Sequence, residues 1–366
     1  MYWGNELQKK MHIEFLMEQY NFLTEPQPIC PYLPNSIDID ISNRCNLKCI
    51  SCFHSIDSFV HLPDMTFDTF LTALDQIEGN ASRITIGNHG EPLLHKKVFN
   101  MLEEVKKRGF FVNFICNGAL LSREKAHRLL DTGVDRVVFS VDSVDPDIYP
   151  QIRVGGKINI TLPNILYFLK INFENDFKTY VNISMVDTPL ALSSKINLYD
   201  YFSKLPVQVV YTSSFLNFHD MLSIKEDTKF RKEYDRANKK TNIPICVNGF
   251  DRILIRPNGD VSLCGIDWDY VHILGNISIT PYTELWNNQK AQEFRSALIN
   301  RNYSIIEHTK KLCSQCDAKF SNSIEIVRSN TLNLIASNIK DTKELSQKVD
   351  RKYLYENLLI ELEKYK

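Results

Sequence analysis

Apolar and polar positions along the chain follow two alternating periods. Short runs that alternate every second residue, or are continuously apolar, fall at 37–41, 83–86, 111–116, 136–141, 180–186 and 207–211. Such runs predict β-strands. Between them the period lengthens. Phe67, Phe70, Leu71, Leu74 and Ile77 share one helical face, and so do Val98, Leu102 and Val105. Gly109 stops that second helix. Ser122 is placed to cap the next one, whose Ala126, Leu129 and Leu130 face inward before Gly133 ends it. Less regular helices are predicted at 164–169 and 195–205. Six strands alternating with helices imply an α/β fold whose parallel strands are joined by right-handed crossovers. In such sheets and barrels the chemistry gathers at the carboxyl ends of the strands.

The pattern then changes. A charged stretch at 225–240 reads as a linker or solvated helix, and Ile253-Leu254-Ile255 and Val261-Ser262-Leu263 flank Pro257-Asn258-Gly259-Asp260, a hairpin signal. Residues 332–366 read as one or two amphipathic helices, with Leu354, Leu358, Leu359 and Leu362 forming a packing face. The expected organisation is a lead at 1–35, an α/β unit at 36–224, a linker at 225–240, a hairpin-bearing unit at 241–320 and C-terminal helices at 321–366.

Composition narrows the function classes. The 366 residues are 43% hydrophobic and 24% charged, as in a globular protein with a sizeable core. Lys and Arg total 43 against 44 Asp and Glu, which gives no support to a general nucleic-acid or membrane binder. No apolar run is long enough to span a bilayer, and the first residues lack a basic start followed by an apolar core. Nine cysteines without such a signal point to metal ligation in a reducing, cytoplasmic setting.

Three of these cysteines, Cys45, Cys49 and Cys52, form a CxxxCxxC loop directly after the first predicted strand. Three close thiolates can hold three corners of a 4Fe–4S cluster and leave one iron open to a small molecule. A zinc site would want a fourth Cys or His at short range. His54 is the nearest, awkwardly placed two residues beyond Cys52.

This loop resembles the signature of the radical SAM superfamily. The resemblance covers roughly residues 36–215. It implies a partial (β/α)6 barrel and an enzyme that cleaves S-adenosylmethionine (SAM) reductively to a 5′-deoxyadenosyl radical. It also implies a one-electron donor such as flavodoxin or ferredoxin. Gly90-Glu91-Pro92, after the second strand, looks like the superfamily's GGEP motif, which serves the SAM amine; His89 stands where that motif has its first glycine. Ser140 and Asp142, at the end of the fourth strand, resemble the ribose-binding strand, and Arg153 resembles an arginine placed near the SAM carboxylate. Ser51 replaces a frequent aromatic before the third cysteine, so Phe53 is the expected adenine contact.

Cys246, Cys264, Cys313 and Cys316 form a second set, in which the last two make a CxxC. Four thiolates complete a 4Fe–4S cluster; a four-cysteine structural zinc site fits the spacing too. With Leu274-Gly275-Asn276-Ile277 and Leu285-Trp286-Asn287, the segment looks like the C-terminal part of SPASM/twitch radical SAM enzymes. Four cysteines match the twitch type with one auxiliary cluster. Cys30 and Cys116 read as buried thiols.

The resemblance implies two reactions. One is oxidation of a small polar substrate such as a sugar or aminocyclitol, with the auxiliary cluster taking an electron, as in inosamine dehydrogenases. The other is peptide modification by epimerisation or crosslinking. The 35-residue lead is short for an added peptide-recognition domain, which favours the first. A zinc-stabilised binding protein is the reading from another class.

Overall fold

The computed structural model describes residues 6–213, 244–268, 270–303, 306, 313, 316, 318, 323–330 and 350–365. Six parallel strands, β1 (Ser36–Ile39), β2 (Arg83–Ile86), β3 (Phe111–Cys116), β4 (Arg136–Ser140), β5 (Tyr180–Val186) and β6 (Val209–Ser213), pair in sequence order. The last begins two residues later than its apolar run. Gln208 first bridges to Val181, receiving its N–H on Oε1 at 2.6 Å. Helix α1 (Glu6–Phe22) precedes the sheet; α2 (Phe67–Ile77), α3 (Val98–Lys107), α4 (Arg123–Asp131), α5 (Tyr149–Ile152), α6 (Ile158–Glu174), α7 (Pro189–Ser193) and α8 (Lys195–Ser203) alternate with the strands.

Local chemistry sets the helix ends. Thr66 and Ser122 each accept a backbone N–H three residues on, capping α2 and α4. The apolar faces of α2, α3 and α4 are buried against the outer face of the sheet, where Ile84, Ile86, Phe114, Val137, Phe139, Val181 and Ile183 have no solvent exposure. That seam is the main core.

The hairpin signal corresponds to β7 (Arg252–Ile255) and β8 (Asp260–Ser262), followed by β9 (Ile273–Asn276). Its partner is non-local. β7 pairs in parallel with β1, so a single nine-stranded sheet runs β6-β5-β4-β3-β2-β1-β7-β8-β9.

Helix α1 lies across the amino ends of the strands. Gln8 donates to the Gly109 carbonyl just before β3, and Gln19 to the Phe250 carbonyl just before β7. The C-terminal helix Arg351–Glu363 packs on α6 through Phe173–Tyr355 stacking at 4.6 Å. Leu358 is fully buried there, but Leu359 is 37% exposed and lies off the expected face. The stretch at 225–240 lies outside the described residues, as do positions 331–349 of the expected C-terminal helices.

Candidate functional site

The loop after β1 turns sharply. Cys52 N–H donates to the Cys49 carbonyl at 3.1 Å, and Lys48 and Ile50 N–H donate to the Val154 and Ile152 carbonyls. Those two bonds bring Arg153 against the cysteine loop, where its guanidinium meets Cys49 Sγ at 3.6 Å. Leu47 N–H donates to Cys45 Sγ at 3.4 Å.

Cys45, Cys49 and Cys52 line one cavity of about 240 Å³ together with Gly87, Asn88, His89, Gly90 and Glu91. The glycines are needed for this approach. A Cβ on Gly90 would stand 2.3 Å from the Ser42 carbonyl oxygen, and Gly87, at φ +100°, would drive one into the Ile115 carbonyl. Glu91 is buried, and its carboxylate accepts from Leu93 N–H at 3.1 Å and Asn117 N–H at 2.8 Å. Burial nevertheless pushes its pKa up to about 7, against the lowering effect of those two donors. Pro92 opens the turn Pro92–Leu94 behind this wall.

Ser140 and Arg153 line the same cavity, as do Phe53 and Asn117. Asp142 is not among the lining residues. The chain turns after β4, Asp142 adopts φ +66°, and its fully buried carboxylate pairs with Arg153 Nε at 2.6 Å and accepts from Val186 N–H. The strand-end alternation therefore stops at Ser140, and Asp142 acts on Arg153. His54 lines the cavity too, with Nε2 on the His89 carbonyl at 2.8 Å. Of the other polar strand-end groups, His95 bonds Met65 and Lys97 backbone, while Ser184 meets Ser140 Oγ at 3.4 Å.

The second cysteine set also gathers. Cys246, Cys264, Cys313 and Cys316 line one pocket whose remaining wall includes Ile266, Phe294, Leu298 and Tyr303. Cys316 N–H donates to the Cys313 carbonyl, Ile266 N–H lies 3.4 Å from Cys264 Sγ, and Asn248 Nδ2 donates to the same sulfur at 3.6 Å. Cys313 Sγ meets His272 Nε2 at 3.4 Å. Arg256 and Asp267, both buried, brace the loop after Cys264, and Asp267 accepts from Val271 and His272 N–H.

The donor chemistry fits clusters. All nine cysteines are free thiols. Burial pushes Cys45 up to about 11 and Cys52 and Cys264 up to about 12, so their thiolate forms need a cation. N–H groups aimed at the sulfurs are the partners that thiolate-ligated iron uses. Among the described residues no three or more His, Cys, Asp or Glu side chains are gathered as a single metal ion requires. Cys45, Cys49 and Cys52 instead line the cavity of about 240 Å³, room for a body larger than one ion, whereas the pocket at the second set is about 20 Å³.

Sequence reasoning missed Asp38 and Asp40. Both are buried, Asp38 on the inner face of β1 and Asp40 directly after its end. Asp40 pairs with His89 Nδ1 at 2.8 Å, and His89 Nε2 lies 2.5 Å from the Gly265 carbonyl, one residue after Cys264. The available signal was an acid at every second position of a strand covered on both faces. It also missed His272.

Comparison with known proteins agrees. The radical SAM superfamily model matches residues 39–188, and the SPASM iron–sulfur cluster-binding domain matches 246–317. A tungsten-containing aldehyde ferredoxin oxidoreductase cofactor-modifying protein of Pyrococcus furiosus is 33% identical over 49% of this chain; the match spans only 51% of that protein. An AdoMet-dependent heme synthase of Methanosarcina barkeri is 25% identical over 78% of this chain and 92% of its own length. BtrN in complex with AdoMet and 2-DOIA shares the fold at TM-score 0.51 and 17% identity, covering 78% of this chain and 93% of that one. Streptococcus suis SuiB bound to precursor peptide SuiA does so at 0.59 and 15%, covering 86% and 74%.

Proposed function

We propose that this chain, a radical SAM enzyme with an SPASM domain, oxidises a small polar substrate such as a sugar or aminocyclitol within its barrel. Cys45, Cys49 and Cys52 hold the SAM-binding 4Fe–4S cluster in this reading, and Cys246, Cys264, Cys313 and Cys316 hold a single auxiliary one. When bound, these groups and SAM supply a 5′-deoxyadenosyl radical for hydrogen abstraction and an acceptor for the remaining electron.

The chain's own residues position this chemistry. Gly87 and Gly90 let the backbone close on SAM, Glu91 faces its amine and Ser140 its ribose. Arg153 serves its carboxylate and is oriented by Asp142. Phe53, packed edge-on against His89 at 5.0 Å, offers the adenine a face in place of Ser51. Asp38, whose carboxyl is pushed up by burial, faces the loop after Cys264 and lies beside Arg252.

The observation that carries the reading is the contact between the two sites. His89, in the wall of the first cavity, meets the backbone directly after Cys264. An electron acceptor held there would adjoin the place where substrate meets SAM. SuiB keeps peptide modification as the second reading, because its structure holds a precursor peptide. We place the enzyme in the cytoplasm with a flavodoxin or ferredoxin as donor. No helix among the described residues is long and apolar enough to cross a membrane. The proposed division keeps the barrel at 36–224 and the auxiliary domain at 241–320.

The test is anaerobic turnover with deuterated sugars and aminocyclitols, for wild type and Cys313→Ala. The account expects deuterium in 5′-deoxyadenosine from both proteins, and a product two hydrogens lighter from wild type only. Normal product yield from Cys313→Ala would exclude the electron-acceptor role. Deuterium transfer from peptides alone would favour the second reading.

A further inference from the structure

The inner face of the sheet carries a run of polar side chains, and among the described residues no acid forms an ion pair with Arg136, while Asp135 acts on Arg83. The strand register puts Arg83 beside Phe111, then Thr85, Asn113, Arg136 and Tyr180 in one row, and Ser140, Ser184 and Tyr211 in a row nearer the carboxyl ends. These positions alternate with the buried outer set. Phe111 and Val138, although buried, stand apart from the main core, as inward residues would.

Two of the inward acids have basic neighbours, Asp40 with His89 and Asp38 with Arg252 at 3.6 Å. Among the described residues no acid forms an ion pair with Arg136. Its Nε donates to Asn113 Oδ1 at 2.8 Å, and Asn113 Nδ2 reaches Thr85 Oγ1 at 3.4 Å. The Arg83 and Arg136 guanidiniums both lie over the Phe111 ring, at 4.0 and 5.9 Å from its centroid. Below them His12 of α1 closes the floor, accepting from Asn35 Nδ2 on Nδ1. Burial and the two guanidiniums hold His12 down to about 3, so it adds no charge. Arg136 is itself lowered by burial, with the hydroxyls of Tyr211 and Tyr180 near enough to oppose that shift.

From this floor a run of hydroxyls leads past the inward Val138 to the SAM cavity. Tyr211 bonds Ser184, Ser184 meets Ser140, and Ser140 is part of the cavity wall. Arg136, Tyr180, Ser184 and Tyr211 all keep partial solvent contact. Two close guanidiniums with no acid to offset Arg136 cost folding free energy, a cost that a bound anion would offset.

We infer that Arg136, with Asn113 and the Tyr180 and Tyr211 hydroxyls, recognises an anionic group, carboxylate or phosphate, on the distal end of the substrate. The inference rests on the reading above that substrate occupies the barrel interior. The substrate is then an acidic or phosphorylated polar molecule, with the abstracted hydrogen at its other end. Arginine suits this task because its planar fork pairs with both kinds of oxyanion.

Anion binding to the anaerobically reconstituted holoenzyme tests this without turnover. Inorganic phosphate and acetate are titrated separately, against chloride at matched ionic strength, while thermal unfolding and binding heat are recorded. The expected result is a saturable rise in Tm for wild type with at least one of the two anions, which also distinguishes phosphate from carboxylate. Arg136→Gln should bind that anion at least tenfold more weakly yet unfold no lower than wild type without it. Arg136→Lys should restore part of the binding. No saturable effect in wild type, or equal effects in wild type and Arg136→Gln, would overturn the inference. The oxidation reading fails separately, by absence of deuterium transfer from any sugar or cyclitol.

Discussion

His89 Nδ1 lies 2.8 Å from Asp40 Oδ2, and both side chains are at most 4% exposed. The ring's other nitrogen faces the Gly265 carbonyl, so one side chain ties β1, the SAM-cavity wall and the loop after Cys264. His89→Ala takes the imidazole from buried Asp40 and leaves it only the backbone N–H of residue 89, a loss of about 1–3 kcal/mol. Thermal unfolding of the holoenzyme should show it as a fall in Tm. Asp40→Asn, which removes the charge as well, should cost less.

Arg153 links Asp142 to Cys49. Hydrogen bonds to cluster sulfurs raise reduction potentials by stabilising the electron-rich state. In Arg153→Ala the first cluster should become harder to reduce, its potential moving negative in an EPR-monitored titration, while the second cluster keeps its potential. Stability should fall by about 3 kcal/mol or more, because Asp142 is left buried and unpaired. Arg153→Lys should recover part of both effects.

In the proposed role of Glu91 at the SAM amine, SAM binding has a pH dependence of definite sign. Its folded pKa of about 7 lies above the ordinary glutamate value, so the protonated form is favoured in the folded protein. Its contribution to stability is therefore complete at acid pH, below the unfolded value, and is lost as pH rises through about 7. Accepting from the SAM amine is favoured by the ionised form. SAM affinity by equilibrium dialysis should rise about tenfold between roughly pH 6 and pH 8, as the ionised fraction grows. Glu91→Gln should bind more weakly and flatten that profile.

Much of this was legible in the sequence, and the gaps have physical causes. The helices α2, α3 and α4 were readable because their apolar residues recur at helical spacing above a buried sheet face. That each cysteine set gathers at one pocket was readable from short spacing within the first set and from the hairpin and CxxC of the second. Helix α1 was not. Its segment, with Glu6, Lys9, Lys10, Glu14 and Glu18 among scattered apolar residues, has no clean apolar stripe, and it is held by Gln8 and Gln19 reaching distant backbone. The pairing of β7 with β1 was hidden because a hairpin signal specifies only its local partner. Asp142 was misplaced by extending strand alternation past Ser140, where a positive φ turns the chain. Arg136 drew no notice because a strand's first residue reads as solvated until the register places it inside.

The central claim is that two thiolate sets in one chain hold two independent clusters. Iron and sulfide per chain after anaerobic reconstitution test it most directly, for wild type and a Cys45/Cys49/Cys52→Ala triple variant. The account predicts about eight irons falling to about four, since each cluster carries four. About four falling to none would contradict it, leaving a single SAM cluster, zinc as the occupant of the Cys246/Cys264/Cys313/Cys316 site, and no internal acceptor for oxidation.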